Sequence, residues 1–324
     1  MQRARLPRPK GCTSFPSTRS AAPSPPPSSY RSPAMALFEC VPNFSEGRDT
    51  RTVDALTQAA ERAGARVLDR TADAKHNRCV LTLVGQAHEL SEAAFAMARV
   101  AVERIDLRLH HGVHPRIGAI DVLPFVPLRE VEMGAAVDLA RSTARRLWDE
   151  LRLPCYFYEE AATRPERRDL ARVRNLGFEA LAARMREPGG APDVGEAAPH
   201  PTAGAVAVGA RRLLVAWNIV AEGIDMRTAR VIAQRMRGRD GGLTTLKALA
   251  FPLDGGRVQL SFNLTDSAAT PLHRVTELAR RQVTRAGGRL VGGELIGLVS
   301  LEALSAAAAH YGALQGLTAS DVYV

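Results

Sequence analysis

The residues best suited to chemistry stand together at His110-His111-Gly112-Val113-His114-Pro115-Arg116-Ile117-Gly118-Ala119-Ile120-Asp121, where three of the eight histidines fall within five positions. Histidine changes charge near neutral pH without strong perturbation, so it suits general acid–base catalysis. Pro115 restricts His114 to an extended backbone and holds the ring on a stiff segment. Arg116, two positions on, offers a planar fork that matches a carboxylate. Two other readings stay open on these residues alone. Solvated histidines suit the negative end of a preceding helix. A metal site would use the same side chains, but no acidic or Cys partner stands at ligand spacing.

A second candidate is Gly195-Glu196-Ala197-Ala198-Pro199-His200-Pro201-Thr202-Ala203-Gly204. Two prolines bracket His200, so the segment is neither helix nor central strand. It falls between two structured units, where ligand crevices are common, and its glycines allow a backbone to approach a flat ligand closely. A plain inter-domain linker is the competing reading. Arg235, Arg237 and Arg239 around Gly238 read as a solvated helix end or an anion-binding loop. P-loop, G-x-G-x-x-G and G-x-S-x-G patterns are all absent from the sequence, which sets aside nucleotide-fold and serine-hydrolase readings.

The elements that must position these loops follow one pattern twice. An apolar strand at 36–42 leads into a helix capped by Asp49, with Val53, Leu56, Ala60 and Ala63 on one face and Gly64 as its stop. Strands at 67–68 and 79–84, a helix with Leu90, Ala94, Met97 and Ala101, and a strand at 121–126 complete β-α-β-β-α-β. A helix (Met133 to Leu151) and the strand 154–158 extend the unit. The order recurs with a strand at 213–219, a helix over Ala229 to Met236, strands at 246–251 and 258–264 joined by the hairpin signal Asp254-Gly255-Gly256, a helix beginning Thr270-Pro271, and a last strand at 294–299. The expected fold class is α+β, with two ferredoxin-like subdomains of mixed sheet and helices packed on one face. The expected organisation is 1–34 leader, 35–185 N-terminal subdomain, 186–204 linker and binding loop, and 205–324 C-terminal subdomain.

Composition bounds the rest. The 324 residues carry 43 Lys plus Arg against 34 Asp plus Glu, a net charge of +9. Residues 1–34 hold six of those basic groups, no acid, and eight of the twenty prolines, so the remaining 290 residues are near balance at +3. Such a leader cannot bury enough surface to order itself. It lacks the apolar stretch of a secretory signal, and its prolines break the amphipathic helix of a transit peptide. With only three lysines beside 40 arginines and abundant Ala, a GC-rich bacterial genome is expected, and Met35 is the expected native start. The four widely spaced cysteines fit a reduced, cytoplasmic protein. No apolar run reaches the ~18 residues of a membrane span.

Several motifs, taken in order, carry a family resemblance. Glu39-Cys40-Val41-Pro42-Asn43-Phe44-Ser45-Glu46-Gly47-Arg48, His76-Asn77-Arg78, His114 to Val122, Ala191-Pro192-Asp193, His200 to Ala205, Val208 to Arg211, Ala216 to Ile219 and Val258 to Asp266 resemble the glutamate formimidoyltransferase family over residues 36 to 312. The resemblance implies transfer of a formimidoyl group from N-formimidoyl-L-glutamate to N5 of tetrahydrofolate, a step of histidine degradation in one-carbon metabolism. It implies tetrahydrofolate as co-substrate, no metal, and a cytoplasmic homodimer that binds neither nucleic acid nor membrane. The catalytic histidine falls on His114 and the folate-binding loop on Gly195 to Gly204. Arg116 and Arg211 are then candidate carboxylate anchors, and Asn43, Asn218 and Asn263 candidate hydrogen-bonding groups. Family members often carry an acid near Thr71; here the nearest are Asp69 and Asp73. The chain stops where the bifunctional animal enzyme continues into a cyclodeaminase domain, so that second activity is not expected. Two alternatives remain: formyl transfer between formylglutamate and tetrahydrofolate, and a ferredoxin-like RNA-binding module. The latter is weakened because 79–84 holds no aromatic and 258–264 only Phe262.

Overall fold

A computed structural model describes residues 36–312 apart from Val113, His114 and Leu176. The expectations for the leader and for His114 itself therefore lie outside the described residues.

The first unit begins with β1 (Leu37–Cys40) and β2 (Asn43–Phe44), two pieces of one central strand that pair with the same neighbours. Helix α1 (Thr50–Arg62) starts where the Asp49 carboxylate accepts from the Arg51 N–H, and the chain turns out of it at Gly64 with φ +92°. Strands β3 (Arg66–Asp73) and β4 (Arg78–Gly85), helix α2 (Ala87–Arg104) and strand β5 (Ile120–Arg129) follow. The strand order β3-β4-β1/β2-β5 is antiparallel throughout, as in a ferredoxin-like unit. Leu90, Ala94, Met97 and Ala101 of α2 are fully buried, the face read from the sequence.

Helix α3 (Met133–Leu151), strand β6 (Cys155–Glu159), the short helices α4 (Leu170–Val173) and α5 (Leu181–Arg186), and strand β7 (Val206–Ala210) enlarge this unit. β7 lies between β5 and β6 and is parallel to both. Sequence reading assigned residues 205–210 to the C-terminal subdomain; the ladder to β5 and β6 puts them in the first sheet instead. The apolar run Ala205 to Ala210, buried throughout, suits a parallel strand covered on both faces. One cover is the α1–α3 layer. The other comes from α4 and α5, whose Val173, Leu181 and Met185 pack on Tyr156, Tyr158 and Ala207.

The second unit comprises β8 (Val215–Glu222), α6 (Met226–Met236), β9 (Leu246–Pro252), β10 (Val258–Leu264), α7 (Leu272–Arg285), β11 (Arg289–Ile296) and α8 (Leu301–Gly312). Its order, β11-β8-β10-β9, repeats the ferredoxin-like arrangement. This sheet is wholly antiparallel, so only the first is mixed. The last strand begins five residues earlier than the 294–299 expected. Helix α7 also starts at Leu272, with Pro271 as its cap; the Thr270 hydroxyl is taken instead by Thr245 Oγ1 at 2.7 Å.

Two close approaches fix the first sheet's extension. A Cβ on Gly209 would lie 2.5 Å from the Tyr158 ring. Arg167 and Asp193, 7% and 5% exposed, form an ion pair at 2.5 Å that ties the chain before the second loop to β6, because Asp193 also accepts from the Phe157 N–H at 2.9 Å. Breaking a buried pair leaves an uncompensated charge, so Asp193→Ala should lower unfolding free energy by about 3–5 kcal/mol in a denaturant titration.

Candidate active site

Three loops meet at one end of the first sheet: 45–49 after β2, 74–77 between β3 and β4, and the described residues of 105–119 between α2 and β5. Asn77 joins them. From a left-handed backbone (φ +49°), which Asn tolerates, its Oδ1 accepts from the Gly47 N–H at 3.0 Å and its Nδ2 donates to the His111 carbonyl at 3.1 Å. Its own carbonyl lies 2.9 Å from Nε2 of the buried His110. A carbonyl only accepts, so His110 Nε2 carries the proton. Burial, with Arg116 nearby, holds the His110 ring below its ordinary pKa. His110 is thus held through its Nε2–H, and burial favours its neutral form. Gly112 is required by closeness, since a Cβ there would meet the His76 carbonyl at 2.4 Å.

Around this junction Phe44, Ser45, His76, Asn77, Arg78, His110, Arg116 and Asp121 line a small hollow. Asn43 sits at its edge with both amide ends engaged: Nδ2 donates to the Val41 carbonyl at 2.8 Å and Oδ1 accepts from Arg78. Arg116 is nearly buried; its guanidinium donates to the His110 carbonyl at 3.0 Å and to Glu179 at 2.9 Å. Asp121 accepts from the Ile117 N–H at 2.8 Å and pairs with Arg174 at 3.1 Å. Arg78, Arg116 and Asp121 are the lining residues of opposite charge, and Arg174 and Glu179 reach the hollow as the partners of Asp121 and Arg116. Of the acids near Thr71, Asp73 is taken by His76 Nδ1 at 2.8 Å, while Asp69 stands opposite Thr82 on β3.

The second candidate segment is brought to the first by backbone pairing. Gly118 and Gly204 form an antiparallel bridge, and the Ala119 and Leu107 N–H groups donate to Ala203 and Thr202 at 2.9 and 2.8 Å. A Cβ on Gly204 would lie 2.1 Å from the Ile117 carbonyl. His200 Nδ1 accepts from the Ala203 N–H at 3.1 Å, which closes the turn, and burial lowers its pKa. Gly195 to Ala198 are exposed. Among the described residues nothing accepts from the N–H groups of Gly195, Glu196, Ala197 or Ala198. These four N–H groups face solvent, as they would in a linker or in an open binding loop.

Other expected residues fall elsewhere. Asn218 lies in β8, opposite Ser261 and Glu294, and Asn263 is exposed on β10 opposite Lys247. Arg211 follows β7; its N–H donates to Phe125 and its side chain to the Arg212 carbonyl. Arg174, Glu179 and the linking role of Asn77 were not legible, because all three act through tertiary contacts. The signal for Asn77 was the His76-Asn77-Arg78 motif, which carried no role on its own. Phe262 is 1% exposed, inside the second core, so it offers no platform for a base. Among the described residues no three His, Cys, Asp or Glu side chains converge as a metal site requires, and no helix is long and apolar enough to cross a membrane.

Two ferredoxin-like units and a hollow lined by histidine and arginine are compatible with a small-molecule enzyme. Comparison with known proteins names the class. A model of the formiminotransferase domain, N-terminal subdomain, matches residues 37–211, and one of the formiminotransferase domain matches 214–321. The chain is 40% identical over 277 residues to glutamate formimidoyltransferase of Streptococcus pyogenes serotype M1, covering 85% of this chain and 93% of that protein. It is 43% identical over 292 residues to glutamate formimidoyltransferase of Thermoplasma acidophilum, covering 89% and 96%. Against formimidoyltransferase-cyclodeaminase of Rattus norvegicus it is 40% identical over 282 residues, spanning 52% of that longer protein. The chain belongs to the formiminotransferase family.

Two outcomes follow. Asn77→Ala leaves the Gly47 N–H and the His111 carbonyl without partners and should cost about 1–3 kcal/mol in thermal or denaturant unfolding. The lowered pKa of His110 and His200 means that the unfolded chain takes up protons the folded one refuses. Their contribution is therefore complete above about pH 6.5 and is lost as pH falls below it; unfolding midpoints at pH 7.5 and 5 should differ, and less so in a His110→Gln, His200→Gln variant.

Proposed function

We propose that the chain transfers the formimidoyl group of N-formimidoyl-L-glutamate to N5 of tetrahydrofolate, giving 5-formimidoyltetrahydrofolate and L-glutamate, with His114 as the proton-transferring group. Near-full-length identity to two glutamate formimidoyltransferases supports the reaction. The observation that supports the site is the pairing of 118–119 with 203–204, which joins the end of the histidine loop to the end of the second candidate segment.

The chemistry requires two proton movements. As N5 bonds to the formimidoyl carbon it sheds a proton, and as the C–N bond to glutamate breaks the leaving nitrogen gains one. One histidine serves both: His114 takes the first proton and returns it in the second step, an effect of typically ~100 to 10,000-fold. Most of the remaining acceleration comes from holding both substrates in contact. Both are carboxylates. Arg116 takes one in exchange for the exposed Glu179, and Arg78 and Arg174 add to the positive field of the hollow. Residues Gly195 to Gly204, His200 among them, form the folate loop, with the four free N–H groups as donors to the pterin and glutamyl oxygens. Asn43 fixes Arg78, and Asn218 supplies a hydrogen-bonding group from the second unit. The enzyme works as a cytoplasmic homodimer; the free, buried state of Cys40, Cys79 and Cys155 suits a reducing compartment.

The test is an assay of purified protein with formimidoylglutamate and tetrahydrofolate, with formylglutamate in parallel. Activity is expected with the formimidoyl donor, slower turnover with the formyl donor, and a loss of at least ~100-fold in His114→Ala. Equal rates in parent and variant would remove His114 from this role.

A further inference from the structure

Glu39 belongs to the opening motif, and the reaction above does not use it. In β1 it alternates with Phe38 and Cys40, which point into the helix-covered core, so Glu39 projects from the opposite face of the sheet between Val84 of β4 and Val126 of β5. The second unit reaches this face: Gly297 lies over Thr82, one row along from Val84. Glu39 is 3% exposed, and its Oε2 is buried without a hydrogen-bond partner. No hydrogen bond or ion pair to its carboxylate occurs among the described residues. Burial pushes the carboxyl above its ordinary range, opposed only by the Arg211 cation nearby.

A buried carboxylate with no donor is costly, and removing its charge normally improves a fold. Packing gives no reason to keep one between two valines. Substrate chemistry does. The formimidoyl group is a formamidine, protonated to an amidinium at neutral pH, and the pterin edge carries a 2-amino group beside an N–H. Each presents two N–H donors across one carbon, the fork that a carboxylate accepts side by side. A formyl group has no such fork.

We propose that Glu39 accepts this planar N–C–N donor fork and is a specificity-determining residue of the transfer, an inference that rests on the reaction assigned above. The test is steady-state kinetics of the full chain as Glu39→Gln and Glu39→Asp, with each substrate varied at saturating levels of the other. Gln keeps the shape but replaces one acceptor by a donor; Asp keeps the charge but withdraws it by one methylene. The Gln variant should melt no lower than the parent and should raise one KM by roughly tenfold or more, with Asp giving a smaller rise in the same KM. A rise confined to formimidoylglutamate, with narrowed preference over formylglutamate, assigns the amidinium; a rise confined to tetrahydrofolate assigns the pterin edge. Unchanged KM values for both substrates in a folded Gln variant would overturn the proposal. A parent inactive with both donors would instead overturn the assigned reaction.

Discussion

The site depends on one side-chain amide. Asn77, in a left-handed conformation between β3 and β4, holds the loop after β2 with its carbonyl end, the loop before β5 with its amino end, and the His110 ring with its backbone oxygen. Each partner is a backbone group or a buried ring nitrogen that would otherwise be unsatisfied away from water, so the three loops are satisfied together or not at all. Gly47 and Gly112 let them close: a Cβ on either would meet a backbone atom at 2.3 and 2.4 Å. The segment that carries Pro115 and Arg116 is therefore fixed from its N-terminal side by Asn77. From its C-terminal side it is fixed by the pairing of Gly118 and Ala119 with Gly204 and Ala203.

The same arrangement explains why the two ferredoxin-like units are not equivalent. The second keeps the bare four-stranded plan. In the first, β6 and β7 extend the sheet, and the chain between them carries α4 and α5 and then the Gly195 to Gly204 segment. That excursion supplies Arg174 to Asp121 and Glu179 to Arg116, and the Arg167–Asp193 pair anchors its return. The extension is thus what brings a segment nearly ninety positions later in sequence against the histidine loop. Lys247 of β9 meets Glu159 at the end of β6 at 3.4 Å, which joins the second sheet to this extended edge.

Much of this was legible in the residues. The period of Leu90, Ala94, Met97 and Ala101 named a helix face that is fully buried, and Asp49, Gly64 and Asp254-Gly255-Gly256 marked ends and turns where they occur. The boundary near residue 205 was not legible, because Val206 to Ala210 reads as a generic buried strand and only its ladder decides which sheet it joins. Roles within the histidine cluster were equally hidden. Sequence spacing treats His110 and His114 alike, whereas burial lowers the His110 pKa and a contact to the Asn77 carbonyl holds its ring in place. The pairing of Ala203 and Gly204 with Gly118 and Ala119 could not be read from the sequence either, since it is a tertiary fact.

The central claim is that the histidine loop is built so that one ring moves protons while its neighbour stays neutral. The pH dependence of kcat/KM for the parent, His110→Gln and His114→Gln tests it most directly. The account predicts that activity falls on the acid side in the parent. That limb should persist in His110→Gln and vanish from the residual activity of His114→Gln. A limb that disappears with His110 and survives the loss of His114 would contradict it.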